Sequence, residues 1–212
     1  VIALLLVVAS APQETRDGLP LLLKEDFESG GEAQWEPTDA KAWRVVTDGP
    51  TRCYELFRAS DYKPAVRSPV NYSLLKDAEV SDFILEARLK STVKEYDHRD
   101  LVIVFGYRDP THFYYLHLAT RADAAAHSVF LVDGAPRVSI AERRTNGVTW
   151  GDGWHDVRIV RRVESGTIEV SFDKMDAPII TAKDKKFVKG RIGLGSFDDT
   201  GRFDDVKLWG RK

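Results

Sequence analysis

The densest run of chemically able side chains in the sequence is Arg108, the turn signal Asp109-Pro110-Thr111, then Tyr115 and His117. Histidine exchanges protons near neutral pH. A tyrosine ring stacks on apolar faces while its hydroxyl hydrogen-bonds, and an arginine grips carboxylates through two parallel bonds. The set suits binding of a hydroxyl-rich or acidic ligand, with Arg88, Arg108, Tyr115 and His117 in contact with it. It also suits proton abstraction, with His117 and Tyr115 as the catalytic pair. Glu86 and Arg88 join this face if Phe83, Leu85 and Leu89 point into the core. Trp150, in an expected loop before Gly151-Asp152-Gly153, is the stacking candidate. A second group is acidic: Asp26 and Glu28 precede Gly30 near one end, and Asp204-Asp205 stand near the other. Carboxylates with backbone carbonyls are the donors that calcium takes, six to eight at a time.

Other chemistry finds no support. There is no G-x-S-x-G, H-E-x-x-H or CxxC, and His112, His117 and His127 are too scattered to argue for zinc. His98-Arg99-Asp100 spells the start of a kinase catalytic loop, but the rest of that loop and a glycine-rich phosphate loop are missing. Cys53 is the single cysteine, so an internal disulfide is excluded, and with no neighbouring base it reads as a packed residue.

The elements that must position these side chains are short and alternate with period two. Ile168, Val170 and Phe172 share one face of a strand, and Thr167, Glu169 and Ser171 the other. Strands are expected at 23–27, 43–47, 53–57, 65–68, 83–90, 100–108 and 113–119. Seven more are expected at 128–132, 137–141, 155–162, 166–173, 178–182, 191–197 and 203–209. Only 73–78 and 121–126 read as helical. The strands at 100–108 and 113–119 should form a hairpin in which Tyr107 faces Tyr114, Gly106 faces Tyr115 and Val104 faces His117. Phe105, Leu116, Ile103 and Leu118 then make the core side. No repeat and no second shift in composition divides the chain, so an all-β, two-sheet antiparallel sandwich is predicted over 23–212, after a linker at 12–22.

The chain has 212 residues and a formal net charge of −2, and no basic cluster alternates with aromatics, so nucleic acid is not an expected partner. Residues 1–11, VIALLLVVASA, carry no charge and are too short to span a bilayer. They read as part of a signal peptide, which predicts a secreted or periplasmic protein with no membrane insertion once the signal is removed.

Three stretches resemble the concanavalin-like, laminin G-like jelly-roll superfamily: Glu25-Asp26-Phe27-Glu28-Ser29-Gly30, Gly153-Trp154-His155-Asp156-Val157-Arg158-Ile159, and Gly190-Arg191-Ile192-Gly193-Leu194-Gly195 followed by Phe203-Asp204-Asp205-Val206. The similarity is greatest to secreted bacterial proteins of the family 16 glycoside hydrolase-like, 3-keto-disaccharide hydrolase-like kind. It implies a jelly roll that binds polysaccharide or oligosaccharide on its concave sheet. It also implies a structural Ca2+ held by Glu28, the Gly30 carbonyl and Asp205, with Asp26 or Asp204 adjacent, and it makes Trp154 a core or hairpin-end residue. The E-x-D-x-x-E strand of family 16 glucanases is missing. Glu169-Val170-Ser171-Phe172-Asp173 has neither the third acid nor the spacing, and Glu169 is expected to pair with Arg158 or Arg162. Three readings stay open: a glycan-recognising protein, a carbohydrate-active enzyme (polysaccharide lyase or atypical glycoside hydrolase), and a laminin G-like interaction module of the cell envelope.

Overall fold

The computed structural model describes residues 13–212; the signal-type run at 1–11 lies outside the described residues. The first strands are β1 (Thr15–Arg16), β2 (Leu19–Glu25), β3 (Trp35–Pro37), β4 (Trp43–Asp48), β5 (Thr51–Leu56) and β6 (Asn71–Val80). The middle of the chain forms β7 (Phe83–Ser91), β8 (Asp100–Asp109), β9 (His112–Ala119), β10 (Ser128–Asp133), β11 (Val138–Ser139) and β12 (Ala141–Arg144). The rest is β13 (His155–Arg162), β14 (Thr167–Phe172), β15 (Ile180–Lys183), β16 (Gly190–Ser196) and β17 (Gly201–Gly210). Among the described residues, no helix is long and apolar enough to cross a membrane.

Two antiparallel sheets face each other. One has ten strands in the order β1-β2-β17-β7-β13-β14-β15-β12, with β5 pairing β17 and β4 pairing β5; the other has seven, β11-β10-β9-β8-β16-β6-β3. Period-two alternation buries one face of each. Leu101, Ile103, Phe105, Leu116 and Leu118 of the seven-stranded sheet meet Leu85, Leu89, Ile159, Ile168, Val170 and Leu208 of the other. Cys53 is fully buried, and burial pushes its thiol up to about 12, the inert packed cysteine expected.

The departures have physical causes. The stretch at 73–78 forms the middle of β6, where pairing with β3 and β16 overrides the helical propensity of its Leu, Lys and Ala. Residues 121–126 are turns, closed by Arg144 donating to the carbonyls of Asp123 and Ala126. Residues 65–68 are not a strand but part of an irregular strap, 57–70, laid over the outside of the seven-stranded sheet through Tyr62 and Val66. Part of the stretch read as a linker is sheet: β1 pairs with β2, which starts at Leu19.

The β8–β9 hairpin keeps the expected faces but shifts its partners by two. Val104 pairs with Tyr115, Val102 with His117 and Phe105 with Tyr114, and the register then breaks before Asp109 pairs with His112. The break is a bulge at Gly106, whose φ of 58° is the left-handed region that glycine tolerates. It turns Tyr107 away from the core and onto the outer face of the sheet, among Tyr72 and Phe113.

Candidate functional site

The outer face of the seven-stranded sheet is apolar where a solvated sheet would be polar. Tyr72, Val102, Val104, Phe113, Tyr115 and Phe130 form a second cluster there, roofed by the strap. Where that roof ends, a cavity of about 150 Å3 opens, lined by Asp100, His117, Arg67, Arg137, Tyr96 and Phe197 among others. That is below the roughly 300–1,000 Å3 of pockets that enclose a whole drug-sized ligand, so the cavity suits one unit of a larger ligand.

Each wall follows from strand parity. Asp100, Val102 and Val104 alternate with the core residues Leu101 and Ile103, so Asp100 looks outward, toward His117 on the neighbouring β9. His117 is 3% exposed, and its ring stacks on Phe197 at 5.8 Å and leans on Phe130. Its Nε2 is 3.4 Å from Asp100 Oδ2 but not aligned for a hydrogen bond, and neither ring nitrogen has a partner among the described residues. A buried polar ring left unpaired is costly, and a bound hydroxyl would satisfy it.

Asp100 is held from behind. Its Oδ1 accepts from Ser196 Oγ and from the Phe197 amide, each at 2.9 Å, which leaves Oδ2 turned toward His117. Its own amide donates to Asp199 Oδ2 at 2.8 Å, and the Tyr96 hydroxyl donates to Asp199 Oδ1 at 2.7 Å. Burial, against those hydrogen bonds, pushes the Asp199 carboxyl up to about 6. Arg137 bridges two layers. It donates to the Tyr115 hydroxyl at 2.8 Å and to the Ala125 carbonyl at 2.7 Å, and its guanidinium lies 4.0 Å from the centre of the Phe197 ring. Arg67 approaches the same ring from the strap, at 5.6 Å.

His117 and Tyr115 therefore share a face, as expected, but their roles divide. Tyr115 is fully buried, its hydroxyl is bound to Arg137, and burial holds its pKa well above the ordinary phenol range. It supports the cavity from below.

The other expected site residues are elsewhere. Arg108 follows the bulge, so parity turns it off this face, and it lies over Phe187 at 5.3 Å. Glu86 and Arg88 do alternate with core Leu85 and Leu89, but β7 belongs to the ten-stranded sheet, so they face out on the far side of the molecule. Arg88 pairs there with Asp205 at 3.4 Å and lies over Trp154. Of the two tryptophans, Trp150 departs from its expected loop exposure, and Trp154 sits just before β13, at the end of its hairpin. Trp150 is fully buried, its indole donating to the Arg99 carbonyl at 3.0 Å, whereas Trp154 is half-buried. Arg158 pairs with Glu86 and Arg162 with Asp17, so Glu169 does not have the partners expected for it.

The acidic ends of the chain meet through protein donors. Glu28 accepts from the Arg52 amide at 2.8 Å, and the single Thr51 hydroxyl proton is shared between Glu28, at 2.8 Å, and Asp204, at 2.9 Å. Asp205 is turned to Arg88. Among the described residues no three His, Cys, Asp or Glu side chains converge, and of the expected ligands Glu28 and Asp205 are each engaged by protein donors.

Asp100, Arg137, Arg67 and Tyr96 were not among the expected site residues. A signal existed for Asp100 alone: its parity with Val102 and Val104 puts it on the face of His117. Arg137 lies beyond another hairpin, and nothing local brings it back.

No protein-family model matches the sequence, and no curated relative does. Solved structures do match by shape. The carbohydrate-binding module CBM66 from Bacillus subtilis superposes with a TM-score of 0.59 at 17% identity, covering 84% of this chain and 96% of that one. The chain has the concanavalin-like jelly-roll fold. Domain 4 of AbnA, a GH43 extracellular arabinanase from Geobacillus stearothermophilus solved with arabinotriose, gives 0.57 at 10% identity over 91% and 93%. Metal-free lectin I-B4 from Griffonia simplicifolia gives 0.53 at 14% identity over 88% and 97%. At such identities the likeness concerns the fold, and function has to be argued from the cavity.

Proposed function

We propose that this protein recognises a glycan through the cavity around His117, Asp100, Arg137, Arg67 and Tyr96, on the outer, concave side of the seven-stranded sheet. The observation that carries this reading is His117: almost fully buried, unpaired at both ring nitrogens and bordering a cavity beside a free carboxylate oxygen. A sugar hydroxyl both donates and accepts, so it can bridge His117 and Asp100. Arg67 and Arg137 supply further donors, and Tyr96, 43% exposed, offers a ring to stack on. Sugar binding is also what several fold neighbours are described as doing. The apolar run at 1–11 adds a secreted or periplasmic location, checked by sequencing the N-terminus of the protein recovered from a native host.

Calorimetric titration against neutral and acidic oligosaccharides tests the binding. We expect one class of glycan to bind and His117→Ala to weaken it at least tenfold, about 1.4 kcal/mol. Unchanged affinity in a folded His117→Ala protein would rule out this cavity. Silence across all glycans would favour the interaction-module reading. The His117–Asp100 pair also keeps an enzymatic reading alive, because it can move a proton. Assays for unsaturated uronate or new reducing ends, run on each bound glycan, separate enzyme from binder.

A further inference from the structure

The same face carries a second depression, on the other side of the strap. It measures about 160 Å3 and is lined by Tyr62, Tyr72 and Tyr107, with Thr38, Glu36 and Arg191 at its rim. A row of rings joins it to the first cavity beneath the strap: His117 to Tyr115 at 6.1 Å, Tyr115 to Phe113 at 6.2 Å, and Phe113 to Tyr107 at 5.6 Å.

The backbone is distorted where this depression is built. The bulge at Gly106 is matched in the next strand, where the register of β16 slips between Arg191 and Gly193 against both β8 and β6. Gly190 fits against it because a β-carbon there would come within 2.3 Å of the Gly106 backbone. Without the bulge, Tyr107 would share parity with Ile103 and Phe105 and point into the core. Bulges re-aim side chains, and this one delivers a tyrosine to a surface hollow. The three rings are set at angles, Tyr62 to Tyr72 at 84° and Tyr72 to Tyr107 at 57°, and so form walls with an edge rather than a flat stack.

The hydroxyls are loosely held, Tyr72 standing between Tyr62 and Tyr107. Tyr72, 1% exposed, donates to Tyr62 only at 3.5 Å, the long limit of a hydrogen bond. Burial raises the pKa of both Tyr72 and Tyr107, so both remain neutral phenols able to donate. At the rim Arg191 and Glu36 neutralise each other at 2.6 Å.

From this we infer that the Tyr62–Tyr72–Tyr107 depression is a second, separate subsite for an uncharged saccharide unit. Its apolar ring face rests on Tyr62, and its hydroxyls complete the bonding of Tyr72 and Tyr107. The mutual pairing of Arg191 and Glu36 disfavours an ionic ligand. The choice of ligand class rests on the glycan reading above, but the site does not depend on His117.

The test is an NMR titration of the isotope-labelled protein with maltotriose, cellotriose and arabinotriose, repeated on Tyr107→Phe and His117→Ala. Tyr107→Phe keeps the ring and removes one hydroxyl. We expect signals of Tyr62, Tyr107 and Arg191 to move with a saturation curve of their own, weakened three- to tenfold by Tyr107→Phe and unaffected by His117→Ala. Movement around His117 and Arg137 alone would overturn the second subsite and leave the first. Movement at the tyrosines alone would overturn the first and leave the second. No movement at the tyrosines with any of the three sugars, or equal affinity in Tyr107→Phe, also overturns this inference.

Discussion

On the outside of the ten-stranded sheet, charges pair in rows. Arg16 and Arg158 meet Glu86 at 2.7 and 2.6 Å, and Lys90 and Arg202 meet Asp48 at 2.9 and 3.0 Å. Glu55 joins Arg202 to Arg44. On the outside of the seven-stranded sheet, Tyr, Phe and Val lie buried beneath the strap, with charge at its margins: around His117 on one side and in the Arg191–Glu36 pair on the other. The Asp48 carboxyl is held below its usual range, chiefly by the Lys90 ammonium, whereas burial drives Asp199 upward. One face has satisfied its charges internally. The other keeps His117 and one oxygen of Asp100 unspent, and unspent polar groups are what a ligand can engage.

The largest test of this contrast is truncation. Tyr115→Ala should cost roughly 3–5 kcal/mol of stability, as in a core. Arg88→Ala, on the opposite face, should cost less than about 1 kcal/mol, as for exposed ion pairs. Urea unfolding measures both, and equal costs would erase the distinction.

A smaller effect is expected with pH. Asp199 is raised from 3.8 to about 6, so the folded protein binds the extra proton in that window, and its contribution to stability falls as pH rises through it. His127 is lowered from 6.5 to about 4 by burial first and by Arg144 second; its contribution runs the other way and is lost as pH falls through the same range. The two nearly offset each other. Asp199→Asn should therefore make the melting temperature climb more steeply between pH 4 and 6.5 than in the parent protein. A slope equal to the parent's would show that Asp199 does not titrate as its burial implies.

The smallest effect should come from chelation. With Glu28 and Asp204 sharing Thr51, and Asp205 on Arg88, EDTA is expected to leave the melting temperature unchanged. A fall would mean that calcium displaces Thr51 and would restore the ligand set implied by the resemblance.

Legibility followed the range of the physics. Alternation is local, so the face shared by Ile168, Val170 and Phe172, and that shared by Tyr115 and His117, could be read directly. Which sheet a strand joins is not local. Arg88 pointed outward as expected, but from the wrong sheet. The bulge hid in Gly106, which reads equally well as a gap in a regular strand. Trp150 and Trp154 flank the same short turn, and only the Arg99 carbonyl, 51 residues earlier in sequence, decides that Trp150 goes inside. The cavity was half legible, with His117 found and its Asp100 and Arg137 missed.

The strand β17 lies between β2, β5 and β7, so residues far along the sequence fill the middle of the larger sheet. A growing chain therefore cannot close this sandwich until β17 has been made, long after its partners β2, β5 and β7. Pairing over such sequence distances is slow, and the earlier strands must wait with open edges. Deleting residues 203–212 should do more harm than deleting 13–16, the short edge strand β1 and the two residues before it. A chaperone that shields unpaired strands should matter most during that wait.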